Sequence, residues 1–302
     1  MPGRAAVAIA VIATAAAAPT ASAQDSDPYR ILPPFRYFES PFADPIEPRM
    51  SIGLLTTDVL ATFGGERDPF FIPDPDDAEF DVQAAAAIGG TIPLLRLSSG
   101  PHGGIILSGQ AGVFARFRIE YPSRDDLGQD WIVAGAFEMQ HDNLSGRVRI
   151  SHRSSHLGDE FVQVTGAERI EFGGEALDAL AAYTLPGVIR VYGGGSWIFR
   201  SYTEEQVLPL VRIGRRDRLL VQLGADGDWH PWGPVGITAG IDWQAAERTK
   251  WRNALALAGG VTVNANGRSL GLVARWFDGA SSLGEFFLTQ ETFWSIEMIA
   301  EF

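Results

Sequence analysis

The sequence has no cysteine, which excludes disulfides and thiolate metal sites. Beyond Gln24 no run approaches the ~20 consecutive apolar residues of a membrane-spanning helix. Basic charge is scarce: 24 Lys and Arg stand against 37 Asp and Glu, for a net charge of −13 over 302 residues. Such an acidic excess argues against a nucleic-acid partner, because phosphate binding needs a basic face. Also missing are a Walker loop, an H-E-x-x-H pair and EF-hand spacing, so no cofactor or metal is expected. Gly193-Gly194-Gly195 falls inside a strand pattern and reads as close backbone packing.

The chain starts with Arg4, then an apolar run from Ala5 to Ala18 and an Ala21-Ser22-Ala23 site. These are the parts of a secretory signal, cleaved after Ala23. Residues 24–49 are rich in proline and aromatics, which forbids a regular helix or central strand there. They read as an N-terminal periplasmic arm.

From Met50 to Phe302 the pattern alternates with period two. Trp131, Val133, Phe137 and Met139 share one face, against Ala134, Ala136, Glu138 and Gln140 on the other. Ile237, Ala239, Ile241 and Trp243 alternate with Thr238, Gly240, Asp242 and Gln244. An apolar face ending in aromatics opposite a small or charged face predicts a transmembrane antiparallel up-and-down β-barrel, apolar outside and polar inside. About twelve segments are expected, near 50–58, 80–97, 104–118, 130–140, 144–156, 166–182, 187–200, 218–229, 234–246, 253–265, 267–278 and 288–302. Short links alternate with long ones, the asymmetry of periplasmic turns and outer loops. In the last segment Trp294, Ile296, Met298, Ala300 and Phe302 share a face. A terminal phenylalanine of this kind resembles the signal read by the barrel-assembly machinery. The expected location is the outer membrane of a Gram-negative cell envelope, in contact with lipid and lipopolysaccharide.

Residues 146–161 concentrate the potential chemistry. Arg147, Arg149 and Arg153 have the parity of the lumen. With Arg116, Arg118, Arg190, Asp226 and Asp242 they predict a charged interior. Two readings stay open: an ion-pair network that plugs the barrel, or a channel or ligand-binding barrel for a small anionic solute. His152 and Ser154 instead share the parity of Val148 and Ile150, toward lipid. A hairpin centred near Phe161 places Glu168 opposite Ser154, with Ile170 and Phe172 also facing lipid. Ser, His and a carboxylate are the parts acyl transfer needs. Ser155, His156, Gly158, Asp159 and Glu160 are expected in a polar loop. Its His and acids suit a metal in type but not in spacing, so hydrogen bonding is the expected role.

His152-Arg153-Ser154 resembles the His-x-Ser strand of outer-membrane lipid A deacylases, which implies a lipid acyl hydrolase with Ser154 as nucleophile, His152 as base and Glu168 as orienter. The stretches SPFADPIEPR (40–49), HRSSHLGDEF (152–161) and RVYGGG (190–195) together resemble the bacterial family of domain of unknown function 1207, predicted outer-membrane proteins. That resemblance implies barrel and location and brings no activity. The function expected first is therefore a non-catalytic channel or surface barrel. The hydrolase is the alternative.

Overall fold

Twelve antiparallel strands close into a barrel in the computed structural model, which describes residues 29–57, 81–119, 126–165, 169, 172–186, 188–202, 218–265, 268–287 and 289–301. The wall runs β2 (Met50–Thr57), β3 (Asp81–Gly100), β4 (Gly103–Arg118), β5 (Asp126–His141), β6 (Leu144–Leu157), β7 (Phe172–Thr184), β8 (Ile189–Ser201), β9 (Leu219–Trp232), β10 (Val235–Ala246), β11 (Asn253–Ala265), β12 (Arg268–Ala280) and β13 (Gln290–Glu301). Each strand pairs with its neighbours in sequence. β13 closes the ring against β2, from Phe293↔Thr57 to Ala300↔Met50. A two-residue strand, β1 (Arg30–Ile31), adds to β3 at Leu95 and Arg96. Two-residue turns such as 142–143 and 233–234 mark one end of the barrel, and longer connections mark the other. In a barrel of this type the short-turn end is periplasmic.

Side chains are distributed inside out relative to a soluble protein. Along β6, Val148 and Ile150 are exposed while Arg147, Arg149 and Ser151 are buried. Along β13, Trp294, Ile296 and Met298 are more than half exposed, and Ser295 and Glu297 are buried. Water would not tolerate so continuous an apolar exterior, whereas lipid requires it. Exposed Trp131, Trp197 and Trp294 lie toward the long-loop end; Tyr183, Trp229 and Trp232 lie toward the turns. These are the two aromatic belts of a membrane-spanning wall.

The proline-rich arm does not stand outside the barrel, as a periplasmic arm would. Phe38 and Ala43 are completely buried, Asp44 and Glu47 nearly so, and all of them meet inward-facing wall residues. The Glu47 carboxylate accepts from Arg147 Nη1 at 3.0 Å, Arg149 Nη1 at 3.2 Å and Gln110 Nε2 at 3.1 Å. The ring of Phe38 meets the guanidinium groups of both Arg147 (5.1 Å) and Arg190 (5.4 Å). Backbone carbonyls contribute too: Arg275 Nη1 donates to Ala43 O at 2.6 Å, and Arg190 donates to Glu39 O and Ser40 O. Proline suits this path, because an irregular segment in a closed lumen leaves fewer N–H groups to satisfy when some are missing. The wall makes room where the arm lies closest. A Cβ on Gly112 would sit 3.1 Å from Pro48.

The long-loop end is capped. Residues Asp159–Thr165, expected as a loop, form helix α1, with Asp159 and Glu160 at its positive N-terminal turn. Phe161 packs with Leu127, Leu157, Leu283 and Phe286 over the barrel mouth. The helix consumes residues that a symmetric hairpin would have paired, and this moves the register. Phe172, expected to face lipid, lies opposite Ser155, is buried, and packs against Phe287.

Two outcomes test the plug. Glu47→Ala leaves Arg147 and part of Arg149 buried without a counter-charge, so stability should fall by about 3–5 kcal/mol. A drop in the temperature at which the folded gel band converts to the unfolded one would report it. In planar bilayers the full chain should give a flat current trace, because the arm fills the lumen; discrete conductance steps would contradict the closed lumen.

Candidate functional site

The wall sorts the candidate residues by parity into two sites. Inside, Arg116 pairs with Glu291 and reaches Ser282 Oγ at 3.0 Å. Arg118 is buried on the same face. Arg149 also meets Asp178 (3.0 Å) and Gln110 Oε1 (2.7 Å). Arg190 grips Asp226 through Nε (2.9 Å) and Nη2 (2.7 Å). Asp242 accepts from Tyr192 Oη, Gln222 and Gln244 at 2.7–2.8 Å. Arg153 Nε donates to Asp130 at 3.1 Å, and Asp130 also accepts from the Gly284 N–H. Most of these groups are paired with one another, so the interior carries charges of both signs in contact.

The helix-side motif is structural in its contacts. Ser155 Oγ accepts from the Glu285 N–H at 3.0 Å, tying β6 to the cap. Gly158 donates its N–H to Leu127 O, and a Cβ there would fall 1.8 Å from Asp126 O, so only glycine fits. Asp159 pairs with Arg169 on the surface. His156 and Glu160 are exposed. Among the described residues no group of three or more His, Asp or Glu could hold a metal ion.

Outside the barrel, His152 and Ser154 point away from the lumen, two residues apart on β6. The His152 side chain is about half exposed, at 44%. Across from His152 stands Glu175 of β7, and His152 Nδ1 lies 3.3 Å from its Oε1. Glu175 also accepts from Tyr202 Oη at 3.0 Å, and Arg200 Nε lies 3.8 Å from its other oxygen. The Tyr202 ring meets His152 edge-on at 6.4 Å and carries the Arg200 guanidinium at 5.0 Å. Gly173, opposite Ser154, leaves the space Tyr202 occupies: a Cβ there would sit 3.3 Å from the Tyr202 ring. The residue opposite Ser154 is therefore Gly173, not Glu168, which itself lies outside the described residues. The Ser154 hydroxyl makes no hydrogen bond among the described residues.

Glu175, Tyr202 and Arg200 were missed from sequence because the helix displaced the register. A signal existed: Glu175 shares the parity of Leu177 and Ala179, so it is a lone carboxylate on an outward apolar face. Such a group is costly against lipid and marks a candidate site. Trp131, cross-strand from Ser154, places it at the belt where polar headgroups meet the apolar slab.

The protein-family profile described as "Protein of unknown function (DUF1207)" matches residues 75–302. No curated protein matches the chain. In fold it is similar to outer membrane phospholipase A from Escherichia coli, with a TM-score of 0.52 at 11% identity, covering 83% of this chain and 96% of that one. The Salmonella typhi outer membrane phospholipase dimer with bound calcium gives 0.52 at 11% identity, over 85% and 93%. The KdgM porin gives 0.41 at 7% identity, over 84% and 98%. For the two phospholipases the likeness, at 11% identity, is one of fold.

Asp130 links Arg153 of the wall to Gly284 of the cap. Asp130→Ala should loosen that cap, read as faster protease cleavage within residues 281–287 in the folded barrel.

Proposed function

Because the chain belongs to the DUF1207 family, whose description assigns no activity, we propose from its own side chains that it is an outer-membrane acyl-ester hydrolase acting on membrane lipid. The observation that carries this reading is the His152–Glu175 pair beside Ser154 on the lipid-facing wall. Solved structures similar in fold include phospholipases by name, but 11% identity speaks to the barrel alone. The reading rests on the chemistry of these three groups.

Glu175 accepts the Nδ1 proton of His152, which fixes the imidazole tautomer and leaves Nε2 unprotonated as the base. Rotation about the Ser154 Cα–Cβ bond brings its hydroxyl toward Nε2. The serine oxygen attacks an acyl-ester carbonyl and His152 takes the serine proton. The ester C–O bond breaks, and His152 returns the proton to the leaving alcohol. Water, deprotonated by the same imidazole, releases the fatty acid and restores Ser154. Glu175 is a positioning residue, and Tyr202 holds it in place. Lipid of the outer leaflet is the partner, since the site lies at the long-loop end. The β13 strand, with Trp294, Ile296 and Met298 outward, suits recognition by the barrel-assembly machinery; Phe302 lies outside the described residues.

A second reading keeps the barrel non-catalytic, a plugged surface or ligand-binding protein with a charged interior. Its specific support is the absence of a Ser154–His152 hydrogen bond.

The two readings part on lipid turnover. The chain reconstituted in vesicles of phospholipid and lipopolysaccharide should release fatty acid detectable by mass spectrometry. His152→Ala and Ser154→Ala should each lower the rate about 10²–10⁴-fold. Glu175→Gln should lower kcat with KM little changed. Intact acyl chains, or equal rates in His152→Ala, would leave the non-catalytic barrel.

A further inference from the structure

Between the arm and the cap the lumen contains a cavity of about 80 Å³. Its floor is Asp44 of the arm and Asp242 of the wall; its roof includes Arg153, Arg248, Arg252 and Phe287. The floor carboxylates are engaged. Asp44 accepts from the Ile46 N–H and from Gln222, and Asp242 from Tyr192, Gln222 and Gln244. In the roof Arg153 is bound to Asp130 and to Ser282 O, and Arg252 Nε donates to Thr249 O.

Arg248 is different. It enters from the β10–β11 connection and rests on two rings, 5.0 Å from Phe172 and 5.6 Å from Phe287. Its guanidinium makes no hydrogen bond or ion pair among the described residues. Burial holds its pKa down to about 10. Nearby Arg153 adds to the depression and Asp130 opposes it. The two ring centroids are themselves 5.4 Å apart, so both rings lie to one side of the guanidinium, where they stabilise the cation without accepting its N–H protons. A guanidinium that lines the chamber with its N–H donors unengaged among the described residues matches a carboxylate or phosphate edge.

We propose that this chamber binds a small oxyanion, phosphate- or carboxylate-bearing, held by the Arg248 guanidinium. The cationic side chains lie at the roof, so the anionic end of the ligand sits there, and the cavity volume restricts the ligand to a few heavy atoms. The site is independent of the outward His152 site and stands whether or not that site hydrolyses lipid.

The test uses the full chain in detergent micelles, titrated calorimetrically with inorganic phosphate and with acetate at constant ionic strength, with chloride as control. Saturable binding of at least one oxyanion is expected. Arg248→Gln should weaken it about tenfold or more, the loss of charge-assisted hydrogen bonds, while Arg248→Lys retains part of it. No saturable binding by the wild-type chain, or equal binding by a folded Arg248→Gln barrel, overturns the proposal. A second measurement avoids the variant. Phenylglyoxal modification of Arg248, mapped by peptide mass spectrometry, should slow when the bound oxyanion is present. An unchanged rate overturns the proposal as well.

Discussion

The structure depends on one ionic contact more than any other, the Glu47 carboxylate held by Arg147 and Arg149 inside the wall. Lipid outside fixes the parity of β6: Val148 and Ile150 must face out, so the arginines between them must face in. Each guanidinium then needs an acceptor in a lumen that the arm occupies. Asp178 and Gln110 of the wall supply some. The rest comes from the arm, through Glu47 and through the carbonyls of Glu39, Ser40 and Ala43. The arm is thus the missing counter-charge of the barrel, and neither would be stable in this form without the other.

That arrangement explains the choice of basic residue. Lys250 is the sole lysine of the chain and lies in a connection. Arginine fills the interior because one planar fork can satisfy several fixed acceptors, as Arg149 does with three. An ammonium would meet fewer of them and would leave carbonyls of the irregular arm without donors.

The barrel was legible from sequence because its two governing signals are local. Alternation specifies which residues face lipid, and link length separates the two ends. Strand positions on β4, β9 and β13 follow directly from both. What was not legible depends on contacts between distant segments. The arm carries no periodicity of its own, and its place in the lumen is set by charges more than sixty residues away. Helix α1 is only seven residues long and is stabilised by Phe161 against Leu283 and Phe286, a contact invisible to local pattern. Its effect on register then hid Glu175 and moved Phe172 inward. The outward parity of His152 and Ser154 could be read because β6 itself is regular. Their partner could not, because β7 begins after an irregular segment.

The position of the arm in the chain has a consequence for assembly. It immediately precedes β2, and β2 is one side of the seam that β13 closes. The remaining wall strands can therefore pair in order around the arm while that seam is still open. Glu47 can meet β6 laterally, with no need to thread through a finished pore. Once β13 zips onto β2 the arm is enclosed on all sides, and its removal would require either the seam to reopen or several buried ion pairs to break together. The pairing that closes the ring is thus also the lock on the segment that precedes it.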